Sequence, residues 1–138
     1  MITVQTILKA PIEKVWELWI SPEHITQWNH ASADWHTPYA ENDLKVGGKF
    51  KYTMAAKDGS MQFDFGGTYT EIVNHSLISY TIDDGRKVKI TFESQENGVV
   101  IIEKFDPETE NSEALQQQGW QAILDNFKKH VESINLKL

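Results

Sequence analysis

The chain contains no cysteine. That absence removes disulfides, thiolate nucleophiles, thiolate zinc sites and iron–sulfur clusters in one step. It also lacks any apolar run near the roughly 20 residues a membrane span needs. No basic, apolar leader follows Met1. Basic residues are scarce: 13 Lys and Arg stand against 20 Asp and Glu, for a net charge of −7. Such a balance argues against a nucleic-acid partner, which needs a basic face to track phosphates. It argues equally against docking on or inserting into an anionic membrane. Neither an internal repeat nor a low-complexity tract is visible. The expectation is one domain over residues 1–138, in a reducing cytoplasm, as a monomer or homodimer.

What the chain has in excess is rings. Five Trp, six Phe and four Tyr occur in 138 residues, more than a core of this size requires. Their placement depends on the order of elements. Ile2 to Lys9 alternates and is β-branched, so it reads as a strand that Ala10-Pro11 ends. Ile12, Val15, Trp16 and Trp19 follow at helical spacing. Ser21-Pro22-Glu23 opens a second short helix carrying Ile25 and Trp28. Asn29 to Asp43 reads as loop with one short strand at most.

Val46 to Phe105 is hairpin after hairpin. The turn at Lys57-Asp58-Gly59-Ser60 pairs Met54 with Phe63, Tyr52 with Phe65 and Phe50 with Gly67, which puts the rings on one face. At Asp83-Asp84-Gly85 a two-residue loop would mix the faces. A three-residue loop with Gly85 left-handed pairs Ile82 with Arg86, Tyr80 with Val88 and Ile78 with Ile90. The turn at Gln95-Glu96-Asn97-Gly98 pairs Phe92 with Ile101, Ile90 with Glu103 and Val88 with Phe105. Arg86 and Glu103 therefore fall on the covered face, Arg86 near its mouth and Glu103 deeper. A helix from about Ser112 to Ser133 closes the chain, with Ser112 as N-cap and Glu113 in the first turn. Leu115, Gly119, Trp120, Ile123, Phe127, Val131 and Ile134 form its inward stripe, with Asn126 and His130 at the edge. The expected fold class is α+β: a curved antiparallel sheet of about six to seven strands wrapped around the long C-terminal helix, with two short helices after strand one.

Several segments carry these words together: Ala10-Pro11 with Val15-Trp16, Trp28, Asn42 to Phe50 (NDLKVGGKF), Asp58 to Tyr69 (DGSMQFDFGGTY), Asp84-Gly85-Arg86, Glu103 to Asn111 (EKFDPETEN) and Gln118 to Phe127 (QGWQAILDNF). Over essentially its whole length the chain resembles the START/polyketide-cyclase superfamily with its helix-grip fold. The closer resemblance is to the branch named after the activator of the heat-shock protein 90 ATPase. The resemblance implies a deep apolar cavity under the long helix that takes up small hydrophobic or aromatic molecules. No catalytic motif runs through the whole superfamily, so it assigns no catalytic residue.

Candidate cavity-lining residues are Trp28, Trp35, Tyr52, Phe65, Tyr69, Arg86, Ile90, Glu103, Phe105, Trp120, Ile123 and Phe127. The rings would contact a planar ligand, with Tyr and Trp offering a polar tip, or would be plain core. Arg86 would meet a carboxylate or phenolate. Glu103 would accept from a hydroxyl, or act as a base if burial raises its pKa. Both would otherwise be structural, bonded by neighbours or partly solvated. Asp34-Trp35-His36 is a candidate flap over the mouth. His24, His30 and His36 lack metal-ligand spacing and read as surface or loop histidines, and His130 as a packing residue. Lys45 to Lys49 lacks the spacing of a phosphate loop and leads into a strand. The run Glu108 to Glu113 reads as a solvated loop. No metal or cofactor is expected. The functional expectation is binding of a lipid, polyketide or flavonoid-like molecule without turnover. The alternatives are a cyclase or hydrolase on a polyketide-like substrate, and a chaperone-interacting module that activates an ATPase.

Overall fold

The computed structural model describes residues 1–135. The elements run β1 (Ile2–Leu8), α1 (Ile12–Ile20), α2 (Pro22–Trp28), β2 (Trp35–Asn42), β3 (Lys49–Ala56), β4 (Gln62–Val73), β5 (Leu77–Ile82), β6 (Lys87–Gln95), β7 (Gly98–Phe105) and α3 (Glu113–Asn135). All seven strands form one antiparallel sheet in the order β1-β7-β6-β5-β4-β3-β2. The sheet curls as a half-barrel about α3, with α1 and α2 beside its C-terminal half. This is the expected helix-grip architecture.

The three hairpin registers read from the sequence are the observed ones. Phe50 faces Gly67, Tyr80 faces Val88, and Ile90 faces Glu103. Gly85 takes φ +98°, and Ile82 N–H donates to the Arg86 carbonyl at 2.7 Å, closing the three-residue loop. Gly67 is required by space rather than by φ. A Cβ there would sit 2.5 Å from the Thr81 carbonyl oxygen and 3.1 Å from Cε1 of Phe50.

Two expectations change. The segment from Asn29 to Asp43 is not mainly loop: Trp35–Asn42 is an eight-residue edge strand paired to β3, interrupted between His36 and Tyr39. Pro38 and a mixed exposure pattern hide the alternation, as edge strands often do. On α3, Leu115 is not part of the inward stripe. It is 55% exposed, while Gln116 is buried and Leu124 is fully enclosed. Ser112 does cap the helix, accepting from Leu115 N–H at 3.1 Å.

Glutamines on α3 also close an edge of the sheet. Gln121 bonds both the Gln5 carbonyl, at 3.0 Å, and the Gln5 N–H, at 3.3 Å, and Gln117 donates to the Thr3 carbonyl at 3.1 Å. The helix thus satisfies the free backbone of β1, an edge that would otherwise invite pairing with another chain. Gln116 ties the preceding loop to the helix through the Glu108 N–H and the carbonyls of Glu108 and Asn111. The acidic run, expected as a solvated loop, has Glu110 and Glu113 exposed, but Glu108 is half-buried and its carboxylate accepts from the N–H groups of Glu110 and Asn111.

Gly67→Ala should destabilise the fold by about 1–3 kcal/mol, the usual range for forcing extra atoms into a packed site. Urea denaturation would measure it, and a change within a few tenths would contradict the close approach described above.

Candidate functional site

The rings fall into two groups. One is solid core. Trp19 lies 5.0 Å from Trp28, 5.5 Å from Phe92 and 4.8 Å from Phe127, centroid to centroid, and Trp16 meets Phe92 at 5.2 Å. The other is built on the curled sheet. Phe50 touches Tyr52, Phe65, Tyr69 and Tyr80, and Phe65 meets Trp120 of α3 edge-on at 6.0 Å. Between this second group and α3 lies a cavity of about 330 Å³. That volume falls within the roughly 300–1,000 Å³ typical of small-molecule sites.

Nine of the twelve candidate residues line this cavity: Trp28, Tyr52, Phe65, Tyr69, Arg86, Ile90, Glu103, Trp120 and Ile123. Three do not. Phe105 is fully buried behind Trp120, stacked at 3.8 Å with the planes 10° apart. Phe127 is fully buried in the solid aromatic group. Trp35 lies in β2 opposite Ala56, with its ring 5.9 Å from Phe63. Strand pairing through Trp35 and His36 also rules out the Asp34-Trp35-His36 flap. Sequence parity alone places a ring on the right face but not on the right side of its neighbour, which is why Phe105 was misassigned.

Tyr80, Phe50 and Ile78 were missed, although their inward parity was visible from the hairpin register. Gly119 was missed as well. It lies on the inward stripe of α3, and a Cβ there would meet nothing within 4 Å. A helical glycine with open space before it marks where the helix stands off the sheet.

The polar side chains in the lining (Asn29, Arg86, Glu103, Glu108, Asn111, Gln116 and three tyrosines) differ in their support. Tyr69 donates to Oδ1 of Asn42, whose Nδ2 donates to the Ile20 carbonyl at 2.8 Å, so β4, β2 and α1 are tied together beside the cavity. Burial raises Tyr52, Tyr69 and Tyr80 well above the ordinary phenol value, so all three remain neutral hydroxyls. Arg86 does not pair with Glu103. Its Nε donates to Oδ2 of Asp84 at 2.8 Å within its own turn.

Glu103 is the exception. It is 5% exposed, lies between Val4 and Ile90 in the sheet, and has no hydrogen-bond or ion-pair partner among the described residues. Burial alone pushes its carboxyl up to about 8. A carboxylate taken out of water without a partner is costly, so the group holds its proton instead.

The histidines do not gather into a metal site: no group of three or more His, Asp or Glu suited to a metal occurs among the described residues. His24 and His130, however, face each other, with Nδ1 and Nε2 3.1 Å apart. Burial, then the neighbouring His24, lowers His130; burial, then Lys57 and His36, lowers His30. Of the histidines expected at the surface or in loops, His30 does lie in the loop between α2 and β2, whereas His24 sits half-buried within α2. Among the described residues, no helix is long and apolar enough to cross a membrane.

A curled antiparallel sheet gripping a long helix, with an aromatic-lined space between them, defines a helix-grip protein of the START/polyketide-cyclase (SRPBCC) superfamily. Residues 9–132 match the family model described as activator of Hsp90 ATPase homolog 1-like protein, and the chain belongs to that family. It is similar to the AHSA1-like protein from Aeromonas hydrophila, with 47% identity, 98% of this chain and 94% of that one covered, and a TM-score of 0.91. It is also similar to the Chr148 protein from Cytophaga hutchinsonii, with 55% identity, 99% and 94% covered, and a TM-score of 0.84. Protein NE0264 from Nitrosomonas europaea, at 16% identity, covers 98% and 96% with a TM-score of 0.82 and shares the fold alone. No curated protein matches the chain. The fold is one that commonly binds hydrophobic ligands.

Two pH effects follow. The folded-state pKa of Glu103 lies above its unfolded value of 4.5. Its contribution to stability is therefore fully present below about 4.5 and is lost as pH rises through about 8. Glu103→Gln should flatten that part of the stability–pH curve, measured by urea denaturation from about pH 4.5 to about pH 9; an unchanged slope would show the carboxyl to be solvated. The opposite sign holds for His130 and His30. Their folded values lie below 6.5, so their contribution is present above 6.5 and is lost on acidification. His130→Gln should weaken the pH dependence below about 6.5 in the same measurement.

Proposed function

We propose that this protein binds a small hydrophobic or aromatic molecule in the cavity beneath α3, without turning it over. The carrying observation is the cavity itself: about 330 Å³, with a mostly apolar wall that includes Phe50, Tyr52, Phe65, Tyr80, Trp120 and Ile123. Rigid rings supply contact area for a planar ligand at little entropic cost. A lipid, polyketide or flavonoid-like body suits that lining.

Turnover would need polar groups converging on one reacting atom. Here Arg86 is held by Asp84, the tyrosines are neutral, and Glu103 stands between apolar neighbours. Activation of a chaperone ATPase is suggested by the family's description, and no side-chain arrangement described above speaks for it.

A thermal-shift screen of flavonoids, polyketides and fatty acids tests the reading, since a ligand that binds only the folded state raises the melting temperature. Gly119→Phe supplies the control, because its ring would enter the open space in front of the helix. The variant should fold and should lose at least about 10-fold in affinity for any hit, a change of about 1.4 kcal/mol. Hits that bind the variant as tightly as the parent would place their site elsewhere.

A further inference from the structure

The cavity has one feature that packing does not require. Position 103 lies on the inward face of β7, between Val4 of β1 and Ile90 of β6, where an aliphatic side chain would fill the same row. It carries instead a carboxyl that is buried, lines the cavity and has no partner among the described residues. Buried polar groups are normally satisfied, so a partnerless one facing an open volume is a group whose partner comes from outside.

The charged and titratable groups around it limit what that partner can be. Tyr80 of β5 and Tyr69 of β4 are neutral and face the same space. Arg86, at the β5–β6 turn, is cationic, and its Nε is committed to Asp84. Glu108 lies in the loop before α3, where its carboxylate accepts from the N–H groups of Glu110 and Asn111, and Gln116 of α3 is used up by backbone groups of that loop. Over the cavity α3 itself presents Gly119, Trp120 and Ile123, none of which titrates. No cation in this set faces Glu103 closely enough to hold it as a carboxylate, and burial alone governs its proton. The Tyr80 hydroxyl is a second donor in the cavity, whereas the carboxyl is the one set between two aliphatic neighbours in the sheet.

We propose that the cavity selects neutral, largely apolar molecules carrying a carbonyl-type acceptor, whose oxygen takes a hydrogen bond from the Glu103 carboxyl. The proposal rests on the binding reading above and narrows it to a ligand class. A buried donor left unsatisfied by a ligand that lacks the acceptor costs its full desolvation, so the carbonyl is a strong discriminator in such a site. A protonated carboxyl supplies this donor throughout the neutral range, because burial holds its proton to about pH 8.

Three probes share one two-ring body: benzophenone with a carbonyl, diphenylmethane with neither donor nor acceptor, and aminodiphenylmethane with a cationic amine. Their affinities would be measured for the parent protein, Glu103→Gln and Glu103→Leu, from about pH 6 to about pH 9.5. Benzophenone should bind the parent at least about 10-fold more tightly than diphenylmethane at neutral pH. That advantage should fade as pH rises past about 8. Glu103→Gln, whose amide still donates, should keep the preference and lose its pH dependence. Glu103→Leu should abolish the preference while diphenylmethane binds unimpaired.

Equal binding of benzophenone and diphenylmethane by the parent would overturn the inference and leave the cavity reading standing. A preference for aminodiphenylmethane would overturn it in favour of a carboxylate that recognises cations. Failure of all three, together with no hit in the wider ligand screen, would overturn the cavity reading as well. Should Glu103→Leu not fold, the loss of pH dependence in Glu103→Gln decides alone: a pH profile like the parent's overturns the inference.

Discussion

A single helix must cover a seven-stranded sheet. Strands stand about 4.8 Å apart, so a flat sheet of this size spans about 29 Å, whereas a helix with its side chains is about 10 Å across. Curling brings the two edges towards α3, and the chain manages them differently. At β1 the glutamines of α3 bond directly to the edge backbone. At the C-terminal half of α3, α1 and α2 add Trp16, Trp19 and Trp28, which pack closely there and leave Trp19 and Trp28 at the border of the cavity. Over β3, β4 and β5 no further element arrives. There the curvature exceeds what Trp120 and Ile123 can fill, and the cavity remains.

The same constraint explains the two kinds of aromatic residue. Where layers meet on both sides, rings pack edge-to-face and close the volume, as around Phe127. Where the helix stands off, rings line a wall and touch mainly along it, as Phe50 touches Tyr52, Phe65, Tyr69 and Tyr80. Gly67 belongs to this wall, since its missing Cβ lets Phe50 lie against the sheet. Gly119 belongs to the facing side, where its missing side chain leaves volume rather than permitting contact.

Legibility from sequence followed the range of the information needed. The hairpin registers were readable because turn chemistry and period-two alternation are local, and a slip of one residue would have split the ring face at Phe50, Tyr52 and Met54. The same reasoning puts Glu103 on the covered side. Trp35–Asn42 was not readable, because Pro38 and the interruption after His36 break the alternation of an edge strand. Leu115 misled for a different reason: a helical stripe assumes that the first turn already lies over the core. In the fold Gln116 takes the buried place, to hold the Glu108–Asn111 turn. The contact between His24 and His130 spans 106 residues and depends on how α2 meets α3, which no window of sequence contains.

Depth of burial separates the roles of the two charged residues placed on the inward face. Arg86 sits at a turn, where Asp84 two residues earlier can reach it, so its charge is met locally and partly in water. Glu103 sits mid-strand at the centre of β7's pairing with β1 and β6, where the backbone on both sides is committed to ladders and every adjacent inward side chain is apolar. No loop can bend in to meet it. A carboxyl in that position has two routes to satisfaction, water or a molecule within the cavity. A buried water needs two to four polar partners, and the side chains flanking Glu103 in the sheet, Val4 and Ile90, supply none. A hydrophobic defect would leave a cavity lined by aliphatic groups alone. A carboxyl fixed by two flanking strands, with rings around it and open volume before it, has the rigidity and the single polar contact that orient a bound molecule.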